Sequence, residues 1–456
     1  MTASPRHAAD DPAMTASPDT PRNWRSLATY ACAQLGGSVF LHLPAMLLMP
    51  FLTNALAVPA AIAGMVIFLP KFWVVLFDPL IGVISDKLKA RGIGRAKLAF
   101  GGGIAMAFLL PLLFAPVLLP EPWMRALFVL IAYLIGSTAF SAFSVPYLIL
   151  ASEVAEADRD RTTLLSMRQV ANYSGALLVN YAPALVHVFG AGREAYGKMG
   201  MIFGAVCLVT TFSFWPFRRM ATAPVEQGAT VGMGGLAPFL ALAAHRRFRA
   251  LLAAYAMQMA AVGVISASFL YYVVYCLQGD LVLVSTIATC LTIAGILAQP
   301  VWVAIERRIG ALQTYALAVA GMACSDFGYV LLNPGNNAQA FALAAVVGIF
   351  SSGFSVMAWT LLLALMTEAR LGQGGPQEGA YAGVWSASEK IAMAAGALIG
   401  GFALQLTGFR SSTSGFIAQS DAAIFGVRLV TGGLTSALLV GSLVFLLIYR
   451  RAHIAR

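Results

Sequence analysis

The sequence predicts an all-α, polytopic membrane protein of twelve transmembrane helices in two six-helix halves, and three observations predict it. First, 59% of the 456 residues are hydrophobic and 11% are charged, against about a quarter charged in soluble domains. A water-soluble globule of this apolar content would need a polar shell the chain lacks, whereas a bilayer is itself an apolar solvent for helices. Second, cutting the apolar runs at charged or Pro/Gly-rich breaks leaves twelve segments long enough to span roughly 30 Å of hydrocarbon at about 1.5 Å per residue. Third, 21 of the 29 Lys and Arg residues fall in the tails and in the loops of one side, leaving eight elsewhere. The net charge of +10 therefore reports orientation by the positive-inside rule, not a nucleic-acid surface.

Residues 1–25 are polar and rich in Ala, Pro and Asp, and they lack the apolar core and cleavage site of a secretory signal. They are expected to be a disordered cytoplasmic tail, and the repeat of MTASP at Met1 and Met14 makes either methionine a possible start. The first half, 26–217, follows Arg22 and Arg25. Its segments are 26–53; 58–86, closed by Asp86 and the basic loop Lys87 to Lys97; 96–118; 122–152; 164–190, after Arg159 and Arg161; and 197–217, stopped by Arg218 and Arg219. The substantial polar break 218–246 reads as a central cytoplasmic loop. The second half, 247–449, holds segments 247–277; 280–306, stopped by Arg307 and Arg308; 311–333; 337–368, before Arg370; 379–407; and 422–449, before the cytoplasmic tail 450–456. Twelve is even, so both termini share the basic, cytoplasmic side of an inner (plasma) membrane. A weak echo joins the halves: Asp78-Pro79 and Asp86-Lys87 on the second helix answer Gln299-Pro300 and Glu306-Arg307-Arg308 on the eighth. Two such halves about a midplane site are the architecture of a secondary transporter with the major-facilitator fold.

The candidate chemistry lies on four helices. In KFWVVLFDPLIGVISDKLKARGIGRAK, 71–97, Asp86 with Arg91 and Arg95 suits a cytoplasmic gate held by charge pairing; a solvated positive-inside loop is the plainer reading. Asp78 lies two turns deeper, where a carboxylate is costly and a functional candidate by default. Pro79 can loosen the helix beside it. Lys71 falls on nearly the same face, so a structural Asp78–Lys71 pair competes with an ion-coupling role. In FSVPYLILASEVAEADRDRTTLLSMRQVANYSG, 143–175, Tyr147 offers a ring and a hydroxyl, and Glu153 and Arg161 sit at the cytoplasmic mouth as further gating residues or, more simply, in a surface salt-bridge network with Asp158, Arg159 and Asp160. Arg168 and Asn172, one turn apart, are expected to face either the cavity or the headgroups. In EGAYAGVWSASEKIAMAAGALIGG, 378–401, adjacent helical residues point about 100° apart. Lys390 is therefore free of Glu389 to face a carboxylate such as Asp78. Ala392, Ala394, Ala395, Gly396 and Gly400 permit close helix approach. His42 reads as a hydrogen-bonded core histidine before a proton relay. Trp73, Trp385, Tyr271 and Tyr272 are stacking platforms or packing aromatics. The five cysteines have no metal-ligand or CxxC spacing and read as core thiols, with no metal and no cofactor expected.

On these blocks the chain resembles the glycoside-pentoside-hexuronide:cation symporter family, the melibiose-permease branch of the major facilitators. DPLIGVISD with its basic loop, VPY followed by Glu153, Arg161 and Arg168, and EGAYAGVW followed by Lys390 stand in order on the right helices. The resemblance implies cation binding for Asp78, a place beside the cation and sugar sites for Lys390, and sugar contact for Arg168. It also marks departures. A second cation-site aspartate of melibiose permease is replaced by Val74, its two sugar-binding aspartates by Ser38 and Ser144, and its stacking tryptophan by Leu148.

A sodium site thus loses half its carboxylates, which favours H+ over Na+ as the coupling ion. The expectation is a monomeric, proton-coupled symporter of a glycoside, uronide or related sugar. Asp78, Lys390 and Lys71 would form its coupling site, and Ser38, Ser144, Tyr147, Arg168, Asn172 and Trp385 its substrate site. A carrier of a lipid-like or amphiphilic solute and an uncoupled sugar facilitator are the alternatives. A membrane enzyme or sensor is remote, because the sequence holds no nucleophile with a base, no phosphate loop and no sizeable soluble domain.

Overall fold

The computed structural model describes residues 24–91, 94–154, 158–219, 245–371 and 378–454, and the elements among them are helical. The first half contains α1 (Trp24–Asn54), α2 (Ala60–Ala90), α3 (Arg95–Leu113), α4 (Pro122–Val154), α5 (Asp158–Val179) and α6 (Arg193–Ser213). The second contains α7 (Arg246–Tyr271), α8 (Leu281–Ile309), α9 (Ala311–Leu331), α10 (Asn337–Leu371) and α11 (Glu378–Leu406). Last comes α12, which begins as Asp421–Arg428 and resumes as Thr435–Ile454. Two π-helical turns interrupt this regularity: Tyr272–Cys276 extends α7, and Leu429–Leu434 joins the two parts of α12. The expected N-terminal tail, apart from Trp24 and Arg25, and most of the central loop lie outside the described residues.

Eleven of these helices are long and apolar enough to cross a membrane. The fifth crossing differs because Arg159, Asp160, Arg161, Arg168, Gln169 and Asn172 make α5 polar. It also breaks at Asn180–Tyr181 before resuming as Ala182–Val188, where a continuous 164–190 segment is expected from sequence. Its direction is fixed by its neighbours: Arg168 meets Gln34, and Asn172, four residues on, meets Ser38, four residues on. So α5 runs parallel to α1 and completes a twelfth crossing. We call the side holding the start of α1 and the end of α12 the terminal face, and the other the far face.

The helix packing repeats along the chain. Within the first half α1 lies on α5 and α6, α3 on α4 and α6, and α2 on α4; the same pairs, each shifted by six helices, recur in the second half. Between the halves α2 lies along α11, α1 touches α7, and the end of the fifth crossing touches α8. One hydrophobic core runs through both halves toward the far face, joining residues such as Leu47, Phe51 and Tyr196 to Tyr271, Ile287 and Leu404. Toward the terminal face it divides. Tyr30, Phe143 and Phe214 form one cluster in the first half, and Phe248, Trp302 and Trp385 another in the second. The halves therefore share a core at one end only.

Small residues on α11 serve two contacts. A Cβ on Gly396 would drive into the Ala260 carbonyl of α7, and one on Gly263 into the Met393 carbonyl, so these two helices touch backbone to backbone. On its other side, Cβ atoms at Gly401 and Gly64 would lie 2.5 Å from the Ala60 carbonyl and 3.0 Å from Leu398 Cα, where α2 and α11 meet. Neither backbone carbonyl can retreat without moving a helix. We expect Gly396→Val to destabilise the second half by about 2–3 kcal/mol, the upper range for overpacking, while Gly383→Ala, with nothing within 4 Å of its added carbon, should raise stability by about 0.5–1 kcal/mol through helix propensity. Thermal unfolding in detergent compares the two.

Two cysteines correct a sequence expectation. Cys207 and Cys276 are buried and Cys290 is partly so, but Cys32 and Cys324 are exposed. In a bilayer an apolar residue need not be inside the protein, so an apolar run does not by itself define core thiols.

Candidate functional site

The residues brought together between the halves begin with Asp78. It sits in α2 beside Pro79, whose missing N–H leaves the helix short of a backbone donor. From α11, 312 residues along the chain, Lys390 Nζ donates to Asp78 Oδ2 at 2.6 Å. The Asp78 side chain is 22% exposed and that of Lys390 34%, so the pair is neither sealed nor fully solvated. Asp78 Oδ1 is shielded and has no partner. This carboxylate spends one oxygen on the lysine and keeps the other available. Glu389, the neighbour of Lys390, points elsewhere: Tyr255 donates to its Oε2 at 2.9 Å within the second half. The expected Asp78–Lys71 pair does not form. Lys71 instead sits over the Tyr133 ring at 5.8 Å and has no ion pair among the described residues.

A second group gathers on α1, α4 and α5. Tyr147 is buried and stacked on Tyr30, with centroids 4.6 Å apart and planes at 10°. Each hydroxyl donates to the other residue's backbone carbonyl, Tyr147 to Tyr30 O at 2.8 Å. This locked pair presents one ring face to Arg168, whose Cζ lies 4.6 Å from the Tyr147 centroid. Arg168 also donates to Gln34 Oε1 at 3.1 Å, while its Nε is shielded and unpartnered. It has no carboxylate partner among the described residues, so its charge is positioned by neutral groups and left unneutralised.

The other expected residues take diverse places. Ser38 is buried and donates to the Asn172 carbonyl at 2.6 Å, fastening α1 to α5. His42 is held at 2.8 Å by the Ser38 carbonyl. Ser144 and Asn172 are half-buried. Trp385 is buried beneath Tyr255, 4.1 Å away, while Trp359, 6.2 Å from it, is exposed. Trp73 donates to Thr138 on α4 at 3.0 Å. Tyr271 and Tyr272 are buried at the far face. Of the expected gate, Arg91 is exposed beyond α2 and Arg95 opens α3 half-buried; the side chains of Asp86, Glu153 and Arg161 lie outside the described residues.

The hydrogen bonds between the halves have a polarity. Near the middle stand the Asp78–Lys390 pair and the Gln299 amide on Tyr173 Oη at 3.2 Å. Every other one among the described residues is toward the far face. Thr53 Oγ1 meets Tyr271 Oη at 2.6 Å, the Ala61 N–H donates to Gln405 Oε1 at 2.9 Å, and Asn180 Nδ2 donates to Thr292 Oγ1 at 3.0 Å. The Ala184 N–H donates to Ser285 Oγ at 3.0 Å, and Ser412 N donates to Thr53 O at 2.8 Å. At the terminal face the strongest described contact is internal to the second half: Arg247 grips Glu368 with both terminal nitrogens, at 2.6 and 3.3 Å. With the divided core, this describes two bodies latched at the far face and separable at the terminal face. Gln34, Tyr173 and Gln405 escape the sequence reading, and Glu389 is visible in it only as the neighbour of Lys390, because each acquires its meaning from a partner on a distant helix.

Comparison with known proteins agrees with this architecture. The family model described as MFS/sugar transport protein matches residues 29–451. An uncharacterized symporter of Synechocystis is 20% identical over 92% of this chain and 93% of its own. A protein of Escherichia coli K12 named as a sulfoquinovose importer is 23% identical over 89% and 86%. Among solved structures, the nucleoside transporter NupG superposes with a TM-score of 0.67 at 12% identity, over 92% of this chain and 98% of that one.

Proposed function

The chain belongs to the MFS/sugar transport protein family and is a multi-pass membrane transporter, not an enzyme; from that premise we propose that it imports an acidic sugar-like solute together with a proton. The observation that carries this reading is the Asp78–Lys390 pair at 2.6 Å, the one ion pair among the described residues that bridges the two halves. Alternating access requires the halves to separate and re-form on opposite sides of a fixed site. A carboxylate whose lysine partner belongs to the other half gains and loses its counter-charge as they move, which ties an ion-binding site to the motion.

Arg168 supports an acidic substrate. Its guanidinium has no carboxylate to neutralise it and is aimed by Tyr147 and Gln34, and a planar fork of donors suits a carboxylate or sulfonate. The Escherichia coli relative's name adds a sulfonated sugar to the uronides and glycosides worth testing. With the terminal face assigned to the cytoplasm by the distribution of Lys and Arg, the far-face latch makes this an inward-facing arrangement. The working unit is a monomer in the inner membrane.

Uptake of labelled glucuronate, galacturonate, sulfoquinovose, a neutral glycoside and a lysolipid into expressing cells tests the reading. Accumulation of an acidic sugar that collapses with a protonophore and is indifferent to sodium is expected. Preference for the neutral glycoside or the lysolipid would overturn the substrate class, and equilibration without accumulation would overturn the coupling.

A further inference from the structure

Away from the interface between the halves, the second half contains a carboxylate that the symport reading does not use. Asp326 on α9 is fully buried, and neither of its carboxylate oxygens has a hydrogen-bond partner. It is five residues from the end of α9, about one and a half turns below the far face. The surroundings are crowded. Gly432 of α12 packs so closely that an added Cβ would lie 2.9 Å from the Asp326 carbonyl. Tyr329, one turn along, and Tyr272 of α7 stack edge to face at 5.1 Å, and both are buried with unpartnered hydroxyls. Thr431 of α12 donates to Ser268 of α7 at 2.9 Å, and Ser268 donates to the Val264 carbonyl at 2.9 Å. Gln258, also buried in this half, is satisfied: it receives Tyr315 and donates to Ser442. Asp326 is the exception among the carboxylates described.

The backbone is irregular at this same place. Both π-helical turns in the chain's described residues, Tyr272–Cys276 and Leu429–Leu434, flank the cluster, and such turns are frequent at functional sites. The turn in α7 starts between two tyrosines with different duties. Tyr271 makes the Thr53 contact that latches the halves, and Tyr272 packs on Tyr329 beside Asp326. Tyr272, which packs on Tyr329, is one peptide unit from the latch residue Tyr271.

An ionised carboxylate cannot persist at a buried site without donors or a counter-charge. Tyr329 of its own helix lies beside it, Tyr272 of α7 packs on Tyr329, and the Thr431–Ser268 bond ties α12 to α7 next to Gly432. Leu343 and Phe350 are what α10 packs on α9 around it. Arg428 of α12 is within reach of Tyr272 and Cys276 rather than of the carboxyl. A metal cation finds too few free oxygens, because Ser268 and Thr431 are already committed to each other. A proton needs one oxygen only.

We propose that Asp326 is a second proton-binding residue, protonated while the far face is latched and linked to that latch through the π turn of α7. Releasing its proton to far-face water leaves a carboxylate that must be hydrated, which requires α7, α9 and α12 to part and carries Tyr271 away from Thr53. The state of this site is independent of which solute the protein carries and of whether Asp78 binds a proton.

Infrared spectroscopy of the purified protein in lipid, with carbon-13 in the aspartate side chains, tests the first half of the proposal. A protonated-carboxyl stretch that moves with the label and disappears in Asp326→Asn, but survives in Asp78→Asn, is expected. In Asp326→Glu that stretch should persist without the isotope shift, which covers the case in which the asparagine variant fails to fold. Absence of the band from wild-type protein at neutral pH overturns it. Hydrogen–deuterium exchange over residues 264–277 tests the link. After correction for intrinsic rates, protection should fall from acid to alkaline pH in the wild type and stay constant in Asp326→Asn; an identical pH response in both proteins defeats the connection to the latch.

Discussion

Replacing Asp78 with Asn should abolish concentrative uptake while leaving counterflow of substrate down its own gradient. The substitution keeps the size of the side chain and its capacity to hydrogen-bond, but it removes both the site for the proton and the attraction to Lys390 Nζ at 2.6 Å. Accumulation should fall by about 10–100-fold, the range of ordinary coupling free energies. The converse variant, Lys390→Met, should behave differently. It leaves a carboxylate 22% exposed without its lysine, a loss we place at about 1–3 kcal/mol, between the values for exposed and buried pairs. Transport should slow, because the charge that draws Asp78 to the second half is gone. In the double variant Asp78→Asn/Lys390→Met, stability should recover toward wild type because neither charge is left alone, yet accumulation should remain lost. Initial rates, steady-state accumulation and unfolding temperature measured on the same four proteins separate these effects. Full accumulation in Asp78→Asn would make the pair a structural strut.

How much of this was legible in the sequence depends on the distance over which each residue finds its partner. The crossings were legible because each is written locally in twenty or more apolar residues, and α5 was harder because Arg168 and Asn172 dilute its apolar signal. Asp78 and Lys390 stood out because charges in apolar runs are rare. That they meet at 2.6 Å follows from α2 and α11 lying side by side, which the angular separation of Glu389 and Lys390 permits but does not dictate. Lys71 shows the limit. Seven residues from Asp78 on nearly the same helical face, it is a plausible partner by periodicity, yet it turns to Tyr133 on α4. Asp326 is inconspicuous in the sequence for a related reason. A single aspartate near the end of an apolar run looks like a boundary residue, and only the packing of α7 and α12 around it reveals that it is buried. The asymmetry of the latch belongs to the assembled halves, and no segment of sequence carries it.

Arg168 gives the second large effect, and here the conservative substitution is the informative one. Three features locate its guanidinium: the Tyr147 ring 4.6 Å beneath it, Gln34 Oε1 at 3.1 Å, and the double hydrogen bond that holds Tyr147 to Tyr30. Lysine keeps the charge but loses the planar fork, and an ammonium on a flexible stem cannot lie on the ring while offering two parallel donors to an oxyanion. If the guanidinium binds the acidic group of the substrate, Arg168→Lys should raise KM by about 30–150-fold, corresponding to roughly 2–3 kcal/mol for a charged bidentate contact. The maximal rate should change far less, because the contact is made in every state that holds substrate. A purely structural arginine would give the opposite pattern. Its loss would lower the unfolding temperature and the amount of protein in the membrane, with KM unmoved, since the remaining molecules would bind normally. Tyr147→Phe sharpens the distinction. It retains the ring under the guanidinium but deletes the hydroxyl bound to the Tyr30 carbonyl, so it should lower stability by about 1 kcal/mol while raising KM only as far as the ring tilts. Transport kinetics of an acidic and a neutral sugar, measured on Arg168→Lys and Tyr147→Phe together, place the charge: the lysine variant should lose preference for the acidic sugar, and the phenylalanine variant should keep it.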